Sequence, residues 1–305
     1  MKKTNIAIIG LGKLGSKHVE NYNRIKTVSI IATCDNNPKT INNLSKDLKR
    51  NFYTDYKKIP LKTLKAVSIC VPTYLHYKIA KYFLENKIHC LVEKPIAINL
   101  KQADNLIKLA KKHKVILQVG HIERFNCAYQ SIEKNIKNPK FIECHRLSPF
   151  PGRSLDVGAV LDIMIHDIDI VLGLVKSKIK HIDAVGVKVL TQFEDIANVR
   201  LTFSNKCSVN LTASRISDEY MRKIRIFLSN KYISMDYFKQ EAFIYKKTAA
   251  GISKTAIPIE KEQPLKKELC SFLECVKSKK KPIVSGTEAR DALCVALRII
   301  KKINV

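Results

Sequence analysis

Apolar runs of strand length alternate with amphipathic helical stretches along the first 120 residues. The strand-like runs cover residues 5–10, 28–35, 65–73, 88–95 and 114–120, and the clearest helical stretches cover residues 74–86 and 100–113. Strands that are buried on both faces read as unbroken apolar runs, so this alternation predicts a parallel sheet covered by helices. We therefore expect a doubly wound α/β domain over residues 1–121.

A different pattern begins near residue 139. Strand-like runs joined by short polar turns recur at residues 140–148, 179–190, 196–204, 207–217, 223–229 and 232–238, and two amphipathic helices follow at residues 264–279 and 286–303. This pattern predicts an α+β domain over residues 122–305, with an open, mostly antiparallel sheet. One face of such a sheet is available for a partner, so we expect a homo-dimer or tetramer formed through it.

One apolar run, residues 157–175, is too long for an ordinary strand and carries titratable groups. At about 100° per residue of a helix, Asp162, His166 and Asp169 fall within an arc of about 60°, whereas Asp167 points elsewhere. Two carboxylates can then flank one imidazole, which orients a histidine for proton transfer. The alternative is a buried cluster in which these groups only satisfy one another.

The segment between the first strand and the first helix has the pattern G-x-G-x-x-G. It comprises Gly10, Leu11, Gly12, Lys13, Leu14 and Gly15. The three glycines allow a tight turn, a close approach of the backbone to a pyrophosphate, and close packing of helix on strand. The helix N-terminus then attracts phosphate groups. Because a strand precedes the motif and a helix follows it, we expect a Rossmann-type dinucleotide site.

Asp35, at the end of the second strand, bears on the choice of dinucleotide. A carboxylate there accepts hydrogen bonds from the adenosine ribose and repels a 2′-phosphate. No arginine follows it, since the next residues are asparagine, asparagine and proline, although Lys39 is close in sequence. The pattern favours NAD over NADP.

Further candidate residues stand where other strands end. Pro72, Thr73 and His76 follow the fourth strand, and Glu93 and Lys94 end the fifth. Ligands of doubly wound sheets lie at the carboxyl ends of the strands, so all five are expected to contact the cofactor. Lys94 is also positioned to bind a substrate hydroxyl. A surface role for His76 or Lys94 is the alternative.

Candidate substrate contacts lie near the same edge and in the second half of the chain. They are His121, Glu123, Arg124, Arg153, Asp169 and Arg215. Arginine suits bidentate contacts with phosphate, and each of these arginines suits an ion pair between domains equally well.

Composition and charge exclude several classes of protein. The chain has 305 residues, of which 46% are hydrophobic and 27% charged, a globular composition that suits about two domains. The formal net charge is +28, but 44 of the 55 basic residues are lysines spread along the whole chain. A genome rich in A/T codons explains this excess, so we expect no nucleic-acid partner. The positive field would still favour an anionic substrate.

Targeting and metal-binding patterns are not found in the sequence. It has no leader pattern and no run of about 18 uncharged apolar residues, so we expect no membrane span. Nine cysteines are scattered without a Cys-x-x-Cys pair. This spacing favours reduced thiols in a cytoplasmic protein over a disulfide or metal framework.

These motifs together resemble the glucose–fructose oxidoreductase, inositol dehydrogenase and rhizopine-catabolism family (Gfo/Idh/MocA). The shared patterns are G-x-G-x-x-G, V-P-T with His76, E-K-P around Lys94, and D-x-x-x-H from Asp162 to His166. The resemblance covers essentially the whole chain. It implies a Rossmann domain followed by an α+β domain, with Lys94, Asp162 and His166 as the catalytic group.

Four segments, VGHIERFN (119–126), HDIDI (166–170), TASRIS (212–217) and RKIRIF (222–227), are similar to one branch of that family. The branch oxidises the 3-hydroxyl of UDP-N-acetylglucosamine with NAD, in the synthesis of amide-linked lipid A, and an aminotransferase then acts on the ketone. The resemblance to this branch leads us to expect a proline at position 127, where this chain has Cys127. The alternatives are a dehydrogenase of inositol, another sugar or another nucleotide sugar, and a non-catalytic NAD-sensing regulator on the same fold.

Overall fold

The computed structural model describes residues 3–150, 152 and 156–303, with only the backbone of Asn43, and its chain forms two compact units. Unit 1 comprises residues 1–121 and 265–290, and unit 2 comprises residues 122–264 and 291–305. The expected boundary after residue 121 recurs. The sequence analysis placed residues 265–290 in the second domain, whereas in the structure they belong to unit 1.

Unit 1 contains a six-stranded parallel sheet with the strand order β3-β2-β1-β4-β5-β6. The strands are β1 (Thr4–Ile9), β2 (Val28–Cys34), β3 (Phe52–Tyr53), β4 (Ala66–Ile69), β5 (His89–Glu93) and β6 (Leu117–Gly120). This is the doubly wound sheet that the apolar runs predict. The strand order reverses between β1 and β4, and a reversal of this kind opens a crevice at the carboxyl ends of the two strands.

Four helices come from the first part of unit 1. They are α1 (Lys13–Asn23), α2 (Lys46–Lys49), α3 (Thr73–Glu85) and α4 (Leu100–His113). Helix α4 begins where the side chain of Asn99 accepts the N–H of Gln102 at 2.9 Å, and it ends in the left-handed conformation of Lys114. The sequence pattern missed α2 and β3, because four and two residues are too few to display a period.

Unit 2 contains an eight-stranded sheet with the order β14-β13-β12-β11-β7-β10-β9-β8. The strands are β7 (Phe141–Leu147), β8 (Ile179–Val187), β9 (Ile196–Phe203), β10 (Ser208–Ser214), β11 (Met221–Phe227), β12 (Lys231–Asp236), β13 (Glu241–Thr248) and β14 (Gly251–Ala256). Only the β7–β10 pair is parallel among the pairs described, so the sheet is mostly antiparallel, as expected. Strands β13 and β14 were not predicted, because few of their residues are buried.

Two further helical elements of unit 2 pack on the buried face of this sheet. They are α5 (Cys127–Ile132) and α6 (Ile165–Val175), and α6 is preceded by a π-helical segment, Val160–Met164. The helix expected over residues 157–175 is therefore present from Val160, but its first turn is wider than an α-helix. π-Helical turns are rare and occur often at functional sites.

The chain closes with α7 (Pro264–Ser278) and α8 (Gly286–Ile303), close to their predicted bounds. Helix α7 belongs to unit 1, where Gln118 Nε2 donates to the carbonyl of Glu268 at 3.3 Å and Val119 N donates to that of Val284 at 3.1 Å. An amphipathic pattern predicts a helix but not the surface that covers its apolar face. Within the residues that the structure describes, no helix has an apolar stretch that could cross a bilayer.

Candidate active site

The glycine motif forms the turn between β1 and α1. Gly10 has φ +88°, and a Cβ there would lie 2.6 Å from the carbonyl oxygen of Cys70. A Cβ on Gly15 would lie 1.8 Å from the carbonyl oxygen of Gly10, so both positions require glycine. A Cβ on Gly12 would meet no described atom within 4 Å. The space beside Gly12 is therefore open to a ligand.

The start of α1 presents backbone N–H groups to that space. The helix begins at Lys13, and among the described residues no side chain caps it and no acidic residue lies in its first turn. Around this turn Leu11 is buried, Leu14 is half-buried and Lys13 is exposed. Uncapped N–H groups and the helix dipole suit a phosphate.

The two carboxylate oxygens of Asp35 bind different segments: one binds the glycine turn and the other binds the turn that follows β2. Its Oδ2 accepts the N–H of Leu11 at 2.7 Å, and its Oδ1 accepts that of Asn37 at 2.8 Å. The sequence predicted a ribose contact, and this support of the glycine turn was missed. Each carboxylate oxygen accepts more than one hydrogen bond, so a ribose hydroxyl can still bind.

A cavity of about 400 Å³ opens at the carboxyl ends of β1, β2 and β4, in the crevice where the strand order reverses. Gly10, Gly12, Asp35, Asp55 and Pro72 contribute to its lining. Its size suits a small ligand, and its two carboxylates disfavour a 2′-phosphate. The residues present therefore fit NAD.

His76, which was predicted to contact the cofactor, lies between two backbone carbonyls in the structure. The ring is buried, with Nδ1 2.7 Å from the carbonyl oxygen of Pro95 and Nε2 2.9 Å from that of Val71. Burial lowers the pKa of His76, although both carbonyl contacts act in the opposite direction. The ring therefore lies between the turn after β4 and the turn after β5. Because a neutral imidazole has a single N–H, the ring in that form donates to only one of the two carbonyls.

Glu93 ends β5 and is buried within unit 1. His18 Nε2 donates to its Oε1 at 3.1 Å. A Cβ on Gly120 would lie 2.6 Å from its Oε2, so the glycine that ends β6 leaves room for the carboxylate. Lys94 follows directly and is half-buried. His18 was not predicted, although a histidine on the apolar side of α1 was a usable signal.

Two arginines hold α6 in unit 2 through its aspartates. Arg146 Nε and Nη2 donate to the two oxygens of Asp167 at 2.9 and 2.7 Å. Arg124 Nε and Nη2 donate to the two oxygens of Asp169 at 2.7 and 3.2 Å. Both pairs are bidentate, the geometry that best offsets the cost of burying the charges.

Arg146 also binds the segment that follows β6. Its Nη1 donates to Glu123 Oε1 at 2.8 Å, and its guanidinium lies 5.2 Å from the centre of the Tyr237 ring. Burial lowers the pKa of Arg146, but Asp167 and Glu123 outweigh it, so that the pKa lies well above its usual value. Glu123 was predicted to contact substrate, and here it is buried against this arginine.

Arg124 is likewise occupied inside unit 2, where its Nη2 also donates to the carbonyl of Asp169 at 3.0 Å. A Cβ on Gly173 would lie 2.4 Å from Arg124 Nη1, so this glycine of α6 makes room for the guanidinium. Both oxygens of Asp169 face Arg124, and the flanking of His166 by Asp169 stays a prediction. The substrate roles of Arg124 and Asp169 stay predictions that the geometry does not favour.

Arg215 is fully buried and fixes the approach to the π-helical segment. Its Nε donates to Asp195 at 2.9 Å, its Nη1 to the carbonyl of Val157 at 2.8 Å, and its Nη2 to Thr191 at 2.7 Å. All of these partners lie inside unit 2, so this geometry favours a structural role over the predicted substrate contact. Burial raises the pKa of Asp195, but backbone N–H donors, chiefly those of Leu190 and Val189, reverse the shift and lower it.

Glu194 holds the first turn of the π-helical segment. Its Oε1 accepts the N–H of Val160 at 3.1 Å, and a Cβ on Gly158 would lie 2.2 Å from the same oxygen. Neither Glu194 nor its neighbour Asp195 was predicted. Both lie in a polar turn, where sequence alone gives no sign that a side chain is buried.

Asp162 and His166 span the junction between the π-helical segment and α6. Asp162 is buried and His166 is half-buried, so the imidazole is the more accessible of the two. Residues four apart stay about one turn apart in either helical geometry. His121, another predicted contact, is buried at the end of unit 1, and Arg153 lies outside the described residues.

Comparisons with known proteins identify the family of this chain. A sequence profile of the Gfo/Idh/MocA oxidoreductases, described as an NAD-binding Rossmann fold, matches residues 4–121, and the profile of their C-terminal domain matches residues 133–234. The UDP-N-acetylglucosamine 3-dehydrogenase of Acidithiobacillus ferrooxidans is 31% identical over 299 residues, which cover 96% of this chain and 95% of that protein.

Similarity of structure extends over the same length. The solved structure of the A. ferrooxidans enzyme has a TM-score of 0.92 at 30% identity and covers 99% of this chain and 98% of that one. The myo-inositol 2-dehydrogenase of Thermotoga maritima is 26% identical, over 98% of this chain and 96% of that protein. The chain therefore belongs to the Gfo/Idh/MocA family of oxidoreductases, and unit 1 carries its NAD-binding Rossmann fold.

Proposed function

We propose that this protein is an NAD-dependent dehydrogenase that oxidises the 3-hydroxyl of UDP-N-acetylglucosamine to a ketone. The observation that carries the proposal is the joint presence of Lys94, Asp162 and His166 in a chain similar over its whole length to an enzyme of that name. Scattered cysteines favour a reducing compartment, so we place the reaction in the cytoplasm. The ketone would then serve an aminotransferase in lipid A synthesis.

In the proposed mechanism, His166 acts as the general base that takes the proton of the sugar hydroxyl. Asp162 orients the imidazole and stabilises the imidazolium that forms. Lys94 donates a hydrogen bond to the same hydroxyl oxygen and stabilises its developing negative charge. When bound, NAD supplies the acceptor for the hydride that leaves the same carbon.

The paired aspartates of α6 support this assignment indirectly. Arg146 and Arg124 hold Asp167 and Asp169, so the residue between Asp162 and these two, His166, sits on a helix that cannot easily rotate. A general base must keep its nitrogen within hydrogen-bond reach of one proton. Arg153 and His121 stay the predicted contacts to the nucleotide sugar.

Inositol is the second candidate substrate, because the T. maritima myo-inositol 2-dehydrogenase is also similar over nearly the whole chain. Both reactions remove hydrogen from a secondary alcohol, so the same three residues would serve either one. A non-catalytic regulator has no need of Lys94 and His166 together, and their presence disfavours it.

The first prediction concerns the substrate. We expect purified protein to reduce NAD when UDP-N-acetylglucosamine is added, as followed by NADH absorbance, with glutamate and the aminotransferase present to remove the ketone. UDP-N-acetylgalactosamine, free N-acetylglucosamine and myo-inositol are the comparisons. Turnover of myo-inositol without turnover of the nucleotide sugar would reject this substrate in favour of the second candidate.

The second prediction concerns the base. His166→Ala should lower kcat by about 10²-fold or more, because the proton would have to leave to water. NAD affinity, measured by fluorescence titration, should stay nearly unchanged. His181→Ala is the matched control, since its side chain is 63% exposed on β8. Wild-type kcat in the His166 variant would remove this residue from the mechanism.

The third prediction concerns the cofactor. Asp35→Asn keeps an oxygen that accepts the N–H of Leu11 but removes the negative charge, so the ratio of NADP to NAD dissociation constants should fall by about tenfold or more. Asp47→Asn, an exposed residue of α2, is the control. An unchanged ratio would mean that Asp35 serves the glycine turn alone.

We also propose that two or more copies associate through the open face of the sheet in unit 2. A row of side chains crosses five strands in register: Phe141, Phe227, Tyr232, Tyr245 and Lys254. The centres of adjacent aromatic rings lie 5.5, 5.2 and 4.3 Å apart, and the ammonium of Lys254 lies 5.8 Å from the centre of the Tyr245 ring. Aromatic residues are enriched in interfaces between subunits.

The fourth prediction tests this interface. Light scattering should give at least twice the 34.7 kDa of one chain for the wild type. Tyr245→Lys should shift the mass toward a single chain, because it places an ammonium beside Lys254 in the row. Tyr220→Lys, on a side chain that is 70% exposed, should leave the mass unchanged. A wild type that is monomeric at micromolar concentration would contradict the proposal.

A further inference from the structure

The first turn of the helix that carries Asp162 and His166 is held by a residue from a distant loop. A helix leaves its first N–H groups without partners inside the helix. Here Ala159 N donates to the backbone carbonyl of Glu194 at 2.8 Å, and Val160 N donates to Glu194 Oε1 at 3.1 Å. One buried residue of the loop between β8 and β9 therefore accepts hydrogen bonds from two consecutive N–H groups at the helix start.

Gly158 provides the space in which the carboxyl group of Glu194 lies. A Cβ at this position would lie 2.2 Å from Glu194 Oε1 and 2.4 Å from Oε2, so the carboxyl group packs against the backbone of Gly158. The carbonyl of Gly158 accepts the N–H of Asp162 at 2.9 Å. The glycine that Glu194 contacts is therefore hydrogen-bonded to the backbone of the residue that is proposed to orient His166.

Arg215 holds the residue that precedes Gly158. Its Nη1 donates to the carbonyl of Val157 at 2.8 Å. Its Nε donates to Asp195 Oδ1 at 2.9 Å, and its backbone N–H donates to the carbonyl of Asp195 at 2.9 Å. Because Asp195 follows Glu194 in the chain, the two residues that bind the helix start are tied to each other.

The loop that carries Glu194 is itself fixed by the side chain of Asp195. The Oδ2 atom of Asp195 accepts three backbone N–H groups of the loop, those of Val189, Leu190 and Thr191, at 2.9, 2.7 and 3.0 Å. A functional side chain is held more precisely when the residues that support it are themselves fixed. Glu194 therefore extends toward the helix from a rigid support.

The hydrogen-bond pattern of the helix changes at the residue whose N–H Glu194 binds. Asp162 N donates to the carbonyl four residues earlier, that of Gly158, whereas Ile165 N donates to the carbonyl five residues earlier, that of Val160. The wide turn therefore begins at Val160. Successive residues of an α-helix differ in direction by about 100°, so the position of the wide turn affects how His166 points relative to Asp162.

We propose that Glu194 is a positioning residue for Asp162 and His166. By binding Val160 N it fixes the residue at which the wide turn begins, and with it the directions of the two side chains. The positioning role rests on the part that Asp162 and His166 play in the proposed function. The hold of Glu194 on residues 158–160 does not depend on that function.

The fifth prediction is that two variants of Glu194 differ in kcat. Glu194→Met has a similar length but no oxygen to accept Val160 N, and it should lose about tenfold or more in kcat, since small displacements of a catalytic group are costly. Glu194→Gln keeps an accepting oxygen and should stay within about threefold of wild type. The KM of the sugar and the NAD dissociation constant should change by less than about threefold in both variants.

Glu219→Met is the matched control, because Glu219 is an exposed residue of the same unit, and its kcat should equal that of wild type. Equal kcat in Glu194→Met and Glu194→Gln, measured well below both melting temperatures, would overturn the positioning role. A purely structural contact would lower the melting temperature of Glu194→Met without separating the two variants in kcat.

A double-mutant cycle approaches the same contact from Gly158. The added methyl group of Gly158→Ala should displace the carboxyl group of Glu194, so kcat should fall by about as much as in Glu194→Met. In a Glu194→Ala background the carboxyl group is gone, and adding Gly158→Ala should lower kcat by less than about twofold further. Fully additive losses would show that the two residues act separately, and would overturn the proposal.

Hydrogen exchange tests the contact without any substrate. In the intact Glu194→Met variant, amides of residues 158–164 should exchange about tenfold or more faster than in wild type, whereas Glu194→Gln and Glu219→Met should leave them unchanged. Unchanged exchange in Glu194→Met would show that Glu194 does not hold the helix start, and would reject the inference. If wild type turned over no sugar, the proposed function would fail, and the exchange result would stand independently.

Discussion

Charges buried beneath the sheet of unit 2 must be paired with opposite charges. This constraint determines how helix α6 is held. Asp167 and Asp169 sit on an otherwise apolar helix, and each meets a guanidinium through two hydrogen bonds. Removing one partner of such a pair leaves an uncompensated charge, which typically costs about 3–5 kcal/mol. These two aspartates are therefore paired with arginines from other segments rather than with the rest of their own cluster, and the proton-transfer role of His166 stays a prediction. Two of the four titratable groups satisfy a core, and His166 keeps an accessible edge.

Much of the molecule follows from periodicity and strand-end chemistry. Unbroken apolar runs predicted the parallel sheet, and the glycine pattern predicted the turn that Gly10 and Gly15 require. The partners of buried charges were harder to predict, because they come from distant segments. Arg146 shares a face of β7 with buried apolar residues, so its alternate position on a strand could have revealed it. Arg215 carries no such local sign, since a buried and an exposed arginine look alike at the end of a strand.

The structure also shows why predicted ligand contacts and structural contacts are hard to separate in a sequence. Asp35 was selected for a ribose, and it also orders the backbone that would bind the pyrophosphate. His76 was selected for the cofactor, and its ring nitrogens lie beside the backbone carbonyls of two strand-end turns. Residues of both kinds concentrate at strand ends, because a site needs rigid backbone as much as it needs functional groups. Spacing in the sequence identifies where a site lies, and only the structure shows which of its residues hold the backbone.

The return of α7 to unit 1 has a consequence for how the protein is made. A ribosome delivers residues 1–121 first, but Leu269 and Phe272, which are fully buried, emerge only after residues 122–264 have been added. Domains tend to fold as they are synthesised, from the N-terminus onward. The nascent dinucleotide-binding unit must therefore wait, with an apolar surface still uncovered, until translation is almost finished. Apolar surface exposed during that interval makes the growing polypeptide prone to aggregation.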